Sequence, residues 1–357
     1  MTTDFFSPVT AGKLDLPNRL VMAPMTRSRA PEGGRVTDLT VEYYVQRASA
    51  GLIVTEAIQP SPRGQGYLWT PGLHDPAQVA AWRRVTDAVH DAGGRIVGQL
   101  MHSGRVGHPS LRPDGTNPLG PSPLASGQSL FTPDGPLEHP VPDEMTVEDI
   151  ATTIADFVQA ARNAIEAGFD GVELHGANGY LIHQFLADGS NVRTDAYGGS
   201  AGHRVRFVRE LVEAVAGAVG AERVGLKISP GVTANGITES DTAGQYTTLV
   251  REIAPYGLAY LHVVESGNRE LIRTLRAAWP GAFVLNPHPE EPTRAARPDE
   301  GAQALRDGVA DAVSFGTLWL ANPDLPARLR AGGPYNEADP ATFYGGDHRG
   351  YTDYPVL

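Results

Sequence analysis

A chain of 357 residues, 41% hydrophobic and 20% charged, carries enough apolar material for one large buried core. Its formal charge of -12 argues against a nucleic-acid surface, which needs clustered Lys and Arg. The lack of cysteine excludes disulfides, thiolate metal sites and a Cys nucleophile.

Taken in chain order, residues 1–8 lack the basic-then-apolar pattern of a signal peptide. No run of 18 apolar residues follows, so a soluble cytoplasmic protein is expected. Residues 13–18 predict part of a short hairpin closing a barrel floor. Short Val/Ile/Leu-rich runs then predict strands at 19–23, 52–56, 95–101, 171–175, 223–228, 260–264, 282–286 and 312–316. Amphipathic stretches between them predict helices at 77–92, 146–167, 204–219, 243–253, 268–278 and 300–307. Eight such units without a composition break, from 1 to 357, imply an α/β fold. The expected form is a single (β/α)8 TIM barrel. An open doubly wound sheet would want a G-x-G-x-x-G turn after an early strand, and none occurs. Residues 103–142, after the third strand, are crowded with Pro, Gly and Ser and are expected to form a mobile lid.

In such a barrel, polar residues at the carboxyl ends of strands point into the active-site mouth. They are Thr26 after strand one, Gln99 and His102 on strand three, His175 ending strand four, and Lys227 in strand five. His175-Gly-Ala-Asn178-Gly-Tyr180 sets an imidazole, an amide and a phenol within six residues. The first two can hold a carbonyl oxygen as charge develops on it, and the third can deliver a proton. Any one of them alone is better explained by packing; their convergence on one mouth favours chemistry. His74, His90, His108 and His139 lack that convergence and are expected on surfaces or loops. No H-E-x-x-H, nucleophile elbow or P-loop occurs, so nothing supports zinc hydrolysis, serine hydrolysis or kinase chemistry.

Ala23-Pro24-Met25-Thr26-Arg27 resembles the first-strand signature of the old yellow enzyme family of flavin-dependent ene-reductases. Gly98-Gln99-Leu100-Met101-His102-Ser103-Gly104-Arg105 resembles its third strand. The block from His175 through Tyr180 to Leu186, running on to Arg193 and Gly199, is similar to its most distinctive stretch. Asn322-Pro-Asp-Leu325 and Gly350-Tyr351-Thr-Asp-Tyr-Pro355 extend the likeness over the whole chain. The resemblance implies FMN and NAD(P)H as cofactors, with Pro24, Thr26, Gln99, Lys227, Gly316 and Thr317 at the flavin. It implies that His175 and Asn178 hold the carbonyl or nitro oxygen of an enone-type small molecule. Tyr180 would supply the proton, and Tyr67, Met101 and Tyr351 would line the substrate cleft. A monomer or small homo-oligomer is expected.

Departures stand at one end of the site. The family has Arg where this chain has Lys227, and Arg where it has Thr317. Its glycine-bearing loop after strand seven is replaced by residues 285–298, rich in Pro and Glu. Proline has no N–H for a phosphate, and glutamates repel one. Arg294 and Arg297 either replace the missing cation or are surface residues. Met101 stands where many relatives carry Trp. Three readings follow: an FMN ene-reductase; a flavin-free isomerase or cyclase using His175, Asn178 and Tyr180; and a non-catalytic ligand-binding barrel.

Overall fold

The computed structural model describes residues 4–31, 33–112, 114–290 and 294–357. Among them eight parallel strands close into a barrel: Leu20–Met22, Leu52–Ile58, Ile96–Leu100, Gly171–Gly176, Val224–Ile228, Tyr260–Val264, Ala282–Asn286 and Ala312–Phe315. The eighth returns to the first, with Val313 opposite Leu20 and Phe315 opposite Met22. Each strand falls within two residues of its predicted bounds. The second is buried at every position, as a parallel strand between the barrel interior and a helical layer must be.

Six outer helices match those expected, and their starts show why they form. Thr146 accepts the Asp149 N–H at 3.0 Å while Asp149 accepts the Thr146 N–H at 2.9 Å. This reciprocal cap contributes about 1 kcal/mol. The helix it opens, Val147–Glu166, buries Ile150, Phe157, Ala160, Ala161 and Ala164 along one stripe. Removing the Phe157 ring from water alone contributes roughly 2–3 kcal/mol. Four shorter helices were not foreseen: Asp38–Val45, Leu181–Leu186, Thr317–Ala321 and Leu325–Ala331. One or two turns give too few residues for a period to register.

The hairpin is Val9–Ala11 paired with Leu14–Leu16. Ala11, Leu14 and Leu16 pack on Val21, Leu52, Val97 and Val284, plugging the floor. Gly12 at its tip has φ +60°, and a Cβ there would sit 2.3 Å from the Glu222 carbonyl. With the floor sealed, the opposite mouth is left for ligands.

Two segments shape that mouth. The insertion after strand three was expected as a mobile cover, but its base is packed. Arg105 donates to the carbonyls of Leu124 and Gly236 at 3.2 and 2.8 Å, and Arg193 donates to those of Pro121 and Met145. The hairpin Ser129–Thr132/Gly135–Glu138 reaches out, with Phe131 80% exposed. The carboxyl-terminal segment is held by buried arginines. Arg27 donates to the carbonyls of Phe343 and Gly350, Arg29 to those of Thr342 and Asp347, and Arg47 to that of Tyr351 as well as to those of Trp319 and Leu320.

Candidate active site

The mouth opens on a cavity of about 770 Å³. Its wall includes Pro24, Thr26, Tyr67, Gln99, Met101, His175, Asn178, Tyr180, Lys227, Gly316 and Thr317. Eleven of the twelve site positions expected from the sequence therefore meet at one surface, and Tyr351 is the exception. It is fully buried, its ring stacked on Tyr43 at 4.2 Å. The Arg27 and Arg29 guanidinium groups lie 5.0 and 4.4 Å from its centroid. Its place is structural: it anchors the tail that brings Phe343, Tyr344 and Gly345 to the cavity rim. His102, also expected at the mouth, turns into the protein and accepts the Gly104 N–H at 3.0 Å. Of the histidines expected outside the site, His139 is buried, bonded to Ser126 at 2.9 Å.

The centre of the site is a chain of buried hydrogen bonds that fixes protonation states. Glu173 lies beside Gln99 across two strands, and His175 beside Lys227. Burial pushes the Glu173 carboxyl up, but His262, Lys227 and Gln99 outweigh it and hold it at about 2. An ionised carboxylate only accepts, so it must face N–H groups. It takes the Gln99 Nε2 at 2.8 Å and the His262 Nδ1 at 2.8 Å. The other Gln99 amide hydrogen meets His175 Nδ1 at 3.2 Å. His175 is pushed down to about 3 by burial and by Lys227, so it is neutral. With Nδ1 accepting, its proton sits on Nε2 and leaves that atom a donor. Gln99 in turn has only its Oε1 left for a ligand. His262 completes the chain through Nε2 to Ser314 at 2.8 Å.

Asn178 and Tyr180 are set by a tight turn. Asn178 has φ +55°; its N–H donates to Ser229 Oγ at 2.8 Å, and its carbonyl accepts Asn235 Nδ2 at 2.8 Å. Gly179 is required there, since a Cβ would lie 2.4 Å from the Ala234 carbonyl. Tyr180 shares a 2.8 Å hydrogen bond with Tyr67, ring edge to face. Burial, then Tyr67, raises Tyr180 well above the usual phenol value, so it keeps its proton at neutral pH. Lys227 is pushed down to about 8 by burial against the pull of Glu173. It remains cationic at pH 7.

Several contributors were missed. Glu173 and His262 alternate with apolar residues in strands four and six, a period-two signal that marks the barrel interior. Trp69 and Ser28 line the cavity at positive φ, +57° and +54°, and Phe131, Thr132 and Pro133 come from the insertion. These have no local signal, because distant segments bring them in.

The profile of the NADH:flavin oxidoreductase / NADH oxidase family matches residues 4–336. The chain belongs to this family, the old yellow enzymes that its motifs resemble. A 12-oxophytodienoate reductase 1 of Oryza sativa subsp. japonica is 40% identical over 364 residues, covering 98% of this chain and 92% of the relative. A probable flavin mononucleotide-dependent alkene reductase of Leishmania infantum is 42% identical over 359 residues, covering 98% and 96%. Morphinone reductase solved with tetrahydroNAD superposes with a TM-score of 0.93 at 43% identity, covering 99% and 98%. The protein is thus a flavin-dependent oxidoreductase. The donor set fits the flavin ring system: Gln99 Oε1 is an acceptor for a ring N–H, Thr26 a hydroxyl, and Lys227 a cation for developing negative charge.

Proposed function

We propose that this chain reduces the carbon–carbon double bond of α,β-unsaturated carbonyl or nitro compounds, using His175, Asn178 and Tyr180 on the substrate. Pro24, Thr26, Gln99 and Lys227 would hold FMN, which once reduced by NAD(P)H would supply the hydride for the β-carbon. The His175 Nε2–H and the Asn178 amide donate to the substrate's carbonyl or nitro oxygen. They withdraw electron density from the alkene and strengthen as negative charge gathers on that oxygen. Tyr180 delivers a proton to the α-carbon, and Tyr67 donates to the Tyr180 oxygen as it loses that proton. Met101, Tyr67 and the exposed hairpin around Phe131 shape the substrate side. The carrying observation is the hydrogen-bond chain from Glu173 through Gln99 Nε2 to His175 Nδ1, which leaves the His175 proton on Nε2.

A small-molecule substrate and a cytoplasmic monomer or small homo-oligomer, acting as one barrel domain over 1–357, belong to the same proposal. The net charge of -12 supports it. Among the described residues no helix is long and apolar enough to cross a membrane. Neither the site nor the relatives favour the flavin-free isomerase. The test is the double variant His175→Ala/Asn178→Ala, assayed on an enone. Losing both donors should lower turnover by about 10²-fold or more. Unchanged turnover, with unchanged binding of a simple phenol, would remove the oxygen clamp from these residues.

A further inference from the structure

In a (β/α)8 barrel a ligand phosphate is commonly held by the loops after strands seven and eight. Among the described residues this corner of the cavity offers a phosphate no cation. Strand eight ends in Gly316 and Thr317, and Thr317 is exposed to solvent. Among the described residues lining the cavity, Lys227 is the one cation, and it stands three strands away round the wall. The two arginines after strand seven are committed to carboxylates. Arg294 bonds both Glu300 oxygens, Nη1 to Oε2 at 3.1 Å. Arg297 pairs with Glu300 at 3.4 Å and Asp299 at 3.6 Å. Neither lines the cavity. At His288 the loop's backbone is occupied as well: its N–H donates to Glu265 at 3.0 Å, and its carbonyl accepts the Gly267 N–H at 2.9 Å. Glu291, Pro292 and Thr293 lie outside the described residues.

We propose that this protein holds its flavin by the ring system and draws little affinity from the terminal phosphate, so that riboflavin binds comparably to FMN. The inference rests on the flavin-dependent function proposed above. A phosphate carries close to two negative charges and three strong acceptor oxygens. Beside an exposed threonine hydroxyl it keeps its water and its counterions. A protein of charge -12 adds no attraction at long range. Recognition of the dianion would need a guanidinium fork or clustered N–H groups.

The experiment is an equilibrium titration of flavin-free protein with FMN and with riboflavin, followed by flavin fluorescence at low and high NaCl. Wild type should bind the two within about tenfold, with FMN affinity nearly independent of salt. Thr317→Arg should tighten FMN by about tenfold or more, leave riboflavin unchanged, and introduce a salt dependence, since a bidentate pair adds charge and geometry. A wild-type preference for FMN beyond about tenfold, weakening with salt, would overturn the inference and leave the reductase intact. Binding of neither flavin to folded protein would overturn both.

Discussion

On the wall formed by strands three to six, the polar side chains answer one another. Glu173 holds Gln99 and His262, Gln99 holds His175, and His262 reaches across the barrel to Ser314 inside strand eight. At strand eight the same cavity ends in Gly316 and an exposed Thr317, and the nearby arginines face Glu300 and Asp299 instead. The contrast separates two kinds of ligand handling. A buried network fixes tautomers and charges before anything binds, which lowers the reorganisation needed in the reaction. An open corner leaves the ligand's own charge to water. Chemistry is thus prearranged at one end, and retention at the other depends on little from the protein.

The comparison breaks most visibly at Glu173. Glu173→Gln removes the acceptor-only partner, so the Gln99 amide can turn and His175 can lose its Nε2 proton to Nδ1. Turnover of an enone should fall about 10- to 100-fold, well beyond any loss of folding stability at the assay temperature. The alkaline limb of the pH profile should move down, because Lys227 loses the carboxylate that holds its proton. A variant with full activity and the wild-type profile would show that the network is only packing.

Lys227 sharpens the same point with pH. It is cationic below about 8 and neutral above, so stabilisation of negative charge at the ring end is present at low pH and lost as pH rises through about 8. Rates should decline several-fold across that limb. Lys227→Arg keeps its charge past pH 12 and should abolish the limb. A limb unmoved in Lys227→Arg would assign it to another group.

The smallest effect is expected away from both ends. Tyr351→Phe should leave KM for enones unchanged and alter stability by no more than about 1 kcal/mol, since the stacked ring and not its hydroxyl anchors the tail. A KM shift beyond about threefold would return Tyr351 to the cleft wall.

Much of this was legible in the chain. Apolar runs bounded by turns located all eight strands, and barrel topology placed Thr26, Gln99, His175 and Lys227 at one mouth. Tyr351 was misplaced because a motif match carries position along the chain and not depth. Its burial follows from three arginines that bind the tail's carbonyls across some 300 residues of sequence. His102 was misplaced because its side chain turns back onto Gly104. The lid looked like a loop because the contacts that pack its base, from Arg105 and Arg193, are to backbone carbonyls, which leave no trace in side-chain pattern. Glu173 was readable, as a charged residue alternating with His175 in a buried strand.

The proton donor offers the most direct test of the whole site. Tyr180→Phe keeps the ring beside Tyr67 and deletes one hydroxyl. Stopped-flow traces should be recorded separately for reduction by nicotinamide and for reoxidation by an enone. Reduction should proceed near the wild-type rate, while reoxidation by an enone slows by about 10²-fold or more and a nitroalkene, whose anion needs less help, suffers less. Equal slowing of both half-reactions, or no slowing with the enone, would contradict a proton-delivering Tyr180.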